Sequence, residues 1–309
     1  MATKRIIKSV LRKKVDSWLD SIDDESVKKI VADNVIITGG SIVNLLINEK
    51  VKDYDVYFKT KEAVVAIAKY YIAKYKEIKP GAIISLAYDS DSYDKLNSQR
   101  VEDSLKAFSP DMDRVRIFIK SRGVEGELPE EANEDAIEGL TEEQKKEDDK
   151  KKYQPIFFSS NAITLSGKIQ LIIRFFGEPE EIHKNYDFVH CTNYWTSWDN
   201  ALVLRPEAIE AILTKQLLYI GSKYPVCSVI RTKKFVLRGW SCNAGQYLKM
   251  IFQCGELDLK DPAVLEDQLV GVDSAYFDML ISALLDHKDK HPEFQVSYGY
   301  LAELIDRIF

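Results

Sequence analysis

Two periodicities divide the chain: apolar residues returning every third or fourth position mark helices, and strict alternation marks strands. The opening "KRIIKSVLRKKVDSWLD" sets Ile7, Leu11, Val15 and Trp18 on one face and predicts a helix over about 4–20, with a second over about 26–33. "VIIT" is a short apolar run that reads as a strand, and "DYDVYF" alternates with period two. Between them "SIVNLLINEK" lines up Ile42, Leu45 and Leu46 as a helical face. "KEAVVAIAKYYIAKYKEI" is a strong amphipathic helix, and "AIISLAY" and "RVRIFIKS" read as strands with the polar loop "YDSDSYD" after the first. "YQPIFFSSNAITL" and "KIQLIIRFF" flank Ser166-Gly167 as the arms of a hairpin, and "DFVHCTNYW" reads as a short strand or a turn. From Arg205 onward the pattern is helical, in "PEAIEAILTKQLLYI", "VCSVIRTKKFVLRGW", "NAGQYLKMIFQC", "SAYFDMLISALLDHK" and "SYGYLAELIDRIF", with Pro or Gly between the segments. The expected fold class is therefore α/β (α+β): a head with a mixed sheet over residues 1–200, followed by an all-α domain over 201–309.

Composition changes this picture in three places. At 309 residues and 45% hydrophobic the chain has room for two domains, but no apolar run approaches the length of a membrane span, about 20 residues. No membrane partner is expected. The four cysteines (Cys191, Cys227, Cys242 and Cys254) contain no C-x-x-C pair and are expected reduced, as in a cytoplasmic protein. The basic, amphipathic start invites comparison with a transit peptide, but the acidic "DSIDDESVKK" comes directly after it, and an ordinary first helix is the simpler reading. The net charge of −6 comes from one stretch, where about a dozen acids stand against about five lysines; the remainder is near neutral. That stretch, about 123–152, is expected to be a flexible or weakly helical insertion, because it is too polar to bury a core.

Candidate chemistry sits in "VIITGGSIVNLLINEKVKDYDVYF". A strand that ends in Gly39-Gly40 and opens a helix at Ser41 presents backbone N–H groups at the positive end of a helix dipole. Missing side chains let a phosphate approach. The plain alternative is a turn with Ser41 as helix N-cap. Asp53 and Asp55, two apart on a strand, point to one face about 7 Å apart. Their repulsion is relieved if cations lie between them, and Mg2+ takes such carboxylates together with triphosphate oxygens. A solvated strand face beside Lys50 and Lys52 is the other reading. Farther along, Arg231, Lys234 and Arg238 share a helix face and make a basic stripe.

Turn, short helix and Asp-x-Asp together resemble the nucleotidyltransferase superfamily, nearest to the branch of tRNA CCA-adding enzymes and bacterial poly(A) polymerases. The segment "GGSIVNLLINEKVKDYD" has the length and ends of that branch's signature. The resemblance implies transfer of a nucleoside monophosphate from a nucleoside triphosphate to an acceptor hydroxyl, an RNA 3′ end in that branch. Carried over, Gly39, Gly40 and Ser41 hold phosphate, and Asp53 and Asp55 hold Mg2+ or Mn2+. "KNYDFVHCTNYW" offers Asp187 to a nucleotide-shaping motif. "YPVCSVIRTKKFVLRGW" keeps Pro225, Arg231, Lys234, Phe235, Gly239 and Trp240 in the order of the neck helix, whose cations, with Arg238, would face the triphosphate. Two departures stand out. Val43-Asn44 replaces an Arg-Asp pair, and the branch's third acid falls at Gln170, which cannot be a carboxylate ligand. They keep open a catalytically impaired nucleotide- or RNA-binding protein, and the same Asp pair would serve transfer to a protein or a small alcohol.

Overall fold

An apolar run bounded by polar residues becomes a sheet strand only when neighbours cover both its faces, and the central strand of this fold meets that condition. The computed structural model describes residues 2–102, 114–119, 124–126, 152–261, 264–265, 268, 284 and 297–308. Two compact units result, Met1–Ile182 with Cys191–Arg205, and His183–His190 with Pro206–Phe309.

The first unit is mixed α/β. It runs α1 (Lys4–Leu19), α2 (Glu25–Ala32), β1 (Val35–Thr38), α3 (Gly40–Ile47), β2 (Tyr54–Phe58), α4 (Lys61–Ile78), β3 (Ile84–Ala87), α5 (Ser90–Glu102), β4 (Arg116–Ile119), β5 (Val124–Gly126), β6 (Pro155–Ser159), β7 (Ala162–Leu165), β8 (Ile169–Phe176), α6 (Pro179–His183), β9 (Tyr194–Thr196) and β10 (Leu202–Val203). Eight strands form one sheet in the order β10-β9-β1-β2-β8-β7-β6-β5, and β3 and β4 pair separately. Within the large sheet the β2–β8 pair is parallel, with Asp55 opposite Gln170, while β1–β2, β1–β9 and β7–β8 are antiparallel.

Helix α1 buries Ile7, Leu11, Val15 and Trp18 completely, as the periodicity predicts. The Trp18 indole donates to the Tyr71 hydroxyl at 2.8 Å, so its one polar atom is satisfied inside the core. Helix α4 is capped by Thr60, whose side chain accepts from the Ala63 N–H at 3.3 Å. It lays Val64, Ile67, Ala68, Tyr71 and Tyr75 against the sheet.

Local chemistry moves several expected boundaries. "YDSDSYD" is the start of α5 rather than a loop. The Asp89 carboxylate accepts from Ser92 N–H and the Ser92 hydroxyl accepts from Asp89 N–H, both at 2.9 Å, a reciprocal cap that begins a helix. The first hairpin arm is two strands, because the Ser159 hydroxyl accepts from Ala162 N–H at 3.1 Å and turns the chain at Ser160-Asn161. The acidic stretch begins inside the sheet, where Val124–Gly126 pairs with β6; its remainder up to residue 151 lies outside the described residues. So does the helix expected over 274–288, apart from Leu284.

The second unit holds α7 (Pro206–Thr214), α8 (Pro225–Leu237), α9 (Ala244–Cys254) and α10 (Tyr298–Ile308). Its strand-like pairings among the described residues are the isolated bridges Phe188–Tyr219 and Gln216–Ser241. Its core gathers Phe188, His190, Tyr219, Phe235 and Trp240. His190 is fully buried there and Trp195 fully buried in the first unit, so both belong to packed cores. No helix among the described residues is long and apolar enough to cross a membrane.

Candidate functional site: a glycine turn beside two aspartates

Strand β1 ends at Thr38, a buried residue whose hydroxyl lies 3.1 Å from the Cys191 carbonyl and 2.9 Å from that of Asn193. The Gly39 N–H donates to the same Cys191 carbonyl at 3.1 Å. These bonds fix the exit of the strand. Gly39 then turns the chain at φ 82°, ψ −149°, a conformation reserved for glycine. The expectation that Gly39 offers its N–H to a ligand is therefore corrected: that donor is already committed, and Gly39 contributes the turn. The donors left by the turn are those of the first turn of α3, starting at Gly40, where an added Cβ would meet nothing within 4 Å.

Ser41 is not the N-cap. That position is Gly39, and it makes no side-chain cap bond. Ser41 is 2% exposed, and its Oγ is enclosed without a hydrogen-bond partner. A buried hydroxyl in that condition costs the fold about 1–3 kcal/mol.

The ladder begins where the Tyr54 N–H donates to the Lys168 carbonyl at 2.8 Å. Asp55 thus sits inside the strand and is half-buried, while Asp53 precedes it and is exposed. Across the parallel pair Gln170 lies opposite Asp55, and Thr164 lies opposite Gln170 on β7. Paired positions on neighbouring strands are about 5 Å apart and share a face. The amide that stands where the resemblance asks for a third acid is therefore the immediate neighbour of Asp55.

The donor set fits a magnesium ion that arrives with a triphosphate. Mg2+ uses one or two protein carboxylates and completes its shell with phosphate oxygens and water. Asp53 and Asp55 would supply the carboxylates, and Gln170 could offer only a neutral oxygen. Among the described residues no group of three or more His, Cys, Asp or Glu side chains gathers as metal ligands.

Asp187, Arg231, Lys234 and Arg238 belong to the second unit. Asp187, 5% exposed, accepts from the Arg231 guanidinium at 2.7 Å. Two residues to which the resemblance gives separate tasks are thus each other's partners. Lys234 is exposed in the last turn of α8, and Arg238 caps that helix, both at the end where the dipole favours cations. Sequence reasoning missed Thr38; a hydroxyl just before Gly-Gly is its only signal.

The model of the Gabija anti-defense 2 protein family matches residues 9–215, about two thirds of the chain. A curated relative, Gabija anti-defense 2 of Bacillus phage SPbetaL7, is 21% identical over 141 residues, covering 45% of this chain and 34% of its own. The match therefore spans about a third of that relative's length. Among solved structures, the Thermotoga maritima CCA-adding enzyme complexed with tRNA is 11% identical with a TM-score of 0.37, over 92% of this chain and 57% of that one. The Bacillus stearothermophilus CCA-adding enzyme in complex with CTP is 12% identical with a TM-score of 0.35, over 87% and 52%. Likenesses of that size leave the chemistry to be argued from this chain's own residues.

Proposed function

The chain belongs to the Gabija anti-defense 2 family, and from that premise we propose that it is a metal-dependent nucleotidyltransferase serving anti-defence. It transfers a nucleoside monophosphate from a nucleoside triphosphate to an acceptor hydroxyl, an RNA 3′ end. The observation that carries this reading is the meeting of three features in one unit. They are a glycine turn that opens a helix at an exposed Gly40, a buried serine hydroxyl without a partner, and two carboxylates two positions apart in the chain.

The roles follow from charge. The N–H groups of the first turn of α3 hold phosphate oxygens, and the helix dipole adds attraction. Ser41 gains the hydrogen bond its hydroxyl lacks. Asp53 and Asp55 hold Mg2+, which when bound supplies charge neutralisation at the transferred phosphate. Gly39 and Thr38 keep the turn rigid. Within the second unit Asp187 positions the Arg231 fork, and Arg231, Lys234 and Arg238 form a basic stripe suited to phosphate oxygens. The acceptor hydroxyl gives up its proton to solvent as its oxygen bonds the α-phosphorus, the bond from that phosphorus to the α–β bridging oxygen breaks, and pyrophosphate leaves.

Gln170 favours a second reading. With an amide beside Asp55, the group that would activate the acceptor lacks its third anionic oxygen, and the protein binds nucleotide without turning it over. Pyrophosphate release separates the two. It is measured over all four ribonucleoside triphosphates with a mixed RNA pool and Mg2+ or Mn2+. Release that depends on RNA and metal supports transfer. Saturable triphosphate binding with no release in any combination rejects it in favour of the binding protein.

A further inference from the structure

Helix α1 does more than seal the core. Its buried face is apolar, but its outer face carries Lys4, Lys8 and Arg12 in one row and Arg5 and Lys13 in the next. These five cations line an open groove of about 860 Å³ whose far wall is the 200–202 segment leading into β10. The wall is fixed. Arg12 donates to the Ser197 carbonyl at 2.6 Å and lies over the Trp195 ring at 5.0 Å. Asp199 accepts from the Thr196 hydroxyl at 2.5 Å and from Ala201 N–H at 3.1 Å, which shapes the turn. The negative charges beside the cations are Asp16, 3.8 Å from Arg12, and Asp199, so the groove keeps a positive excess in a chain whose net charge is −6.

From this we infer that the groove between α1 and the 200–202 segment binds the sugar–phosphate backbone of a single-stranded nucleic acid. Residues four apart on a helix are about 6 Å apart along its axis, and Lys4 to Lys13 span about 14 Å. A row with that stride and length suits successive phosphates of a flexible strand rather than one compact anion. Binding of this kind requires no base contacts and falls steeply with salt. A membrane surface is the weaker fit, because a surface-lying helix must offer its apolar face to lipid. Here Ile7, Leu11, Val15 and Trp18 are wholly buried. The inference goes beyond the nucleotide site and involves none of its residues.

The test uses the full chain, without nucleotide or metal. A fluorescent single-stranded RNA of about 20 nucleotides is titrated at several salt concentrations. Lys4→Glu/Lys8→Glu/Lys13→Glu is compared with Lys29→Glu/Lys76→Glu/Lys95→Glu, which makes the same charge change at exposed positions elsewhere in the unit. The first triple is expected to weaken binding at least about tenfold and to flatten the salt dependence, by about 0.7 in slope per lost phosphate contact. The second is expected to change affinity less than about twofold. Equal loss in both triples, or no binding by the wild type at low salt, overturns the inference. So does binding to anionic phosphatidylserine vesicles in preference to RNA. Strand binding is read without nucleotide or metal and pyrophosphate release is read separately, so failure of the transfer reading and failure of this one give different results.

Discussion

The hydroxyl of Ser41 has lost water without gaining a partner. If the fold alone mattered, alanine would serve as well or better. Ser41→Ala is expected to raise the unfolding free energy by up to about 1 kcal/mol. It should also weaken triphosphate binding about tenfold, the worth of one hydrogen bond to a charged oxygen. Chemical unfolding and nucleotide titration of the same variant check both; a loss of stability with unchanged binding contradicts the assignment. At Gln170 the argument runs the other way. Gln170→Glu places a second carboxylate opposite Asp55, so without metal it should destabilise the protein by about 1 kcal/mol. Mg2+ should restore that stability and raise transfer several-fold, about threefold to tenfold at low Mg2+. A melting point insensitive to Mg2+ in this variant would show that residue 170 does not face the ion. At this scale the sequence was informative where local backbone chemistry decides: the Gly39 turn between a strand and a helix follows from it, whereas Asp53, expected on the strand, falls just before β2, and Gln170 was reached only through the resemblance. The capture of the Gly39 N–H by Cys191 did not, because it depends on a segment more than 150 residues away.

Among the elements, the 187–195 segment resisted reading, since "DFVHCTNYW" has neither helical nor alternating period. The reason is visible in the packing. Phe188 and His190 serve the helical unit, while Thr192, Asn193 and Trp195 are buried in the α/β unit. His190 has Phe188 at 6.0 Å, Phe235 at 4.7 Å and Trp240 at 4.2 Å between ring centroids, and neither ring nitrogen has a hydrogen-bond partner. Burial pushes its pKa down to about 3 from an ordinary value of 6.5. The sign is direct. Unfolded chains take up a proton on this imidazole below about pH 6.5, and the folded one does not until about pH 3. Stability is therefore complete above pH 6.5 and is lost as pH falls through that window, by about 1.4 kcal/mol per pH unit. Between about pH 6.5 and about pH 5, His190→Phe is expected to remove that part of the pH dependence, as read from urea midpoints at each pH. Wild type and variant with parallel pH profiles would contradict it. The amphipathic helices α1 and α4 were legible for the opposite reason: one periodic face meets one core.

For the whole molecule, the mixed α/β class was legible from the alternation of strand-like and helical runs before Arg205, and the helical character of the described residues beyond it from successive runs with a period of about 3.6 residues. Strand order was not. β8 joins β2 in parallel across more than a hundred residues of intervening chain, and nothing local in either strand encodes that partnership. Yet this pairing sets the face on which Asp55 and Gln170 meet, so the site's third wall is a property of topology. The central claim is that the Gly39–Ser41 turn and the Asp53–Asp55 pair form a nucleotidyl-transfer site. The most direct measurement tracks label from the α-phosphate of a nucleoside triphosphate into RNA, by wild type and by Asp53→Ala/Asp55→Ala, with unfolding recorded for both. Asp53 is exposed and Asp55 half-buried, so the variant should unfold within about 0.5 kcal/mol of wild type. The account predicts metal-dependent incorporation by wild type and none above background by the variant; incorporation that persists in a folded Asp53→Ala/Asp55→Ala protein contradicts it.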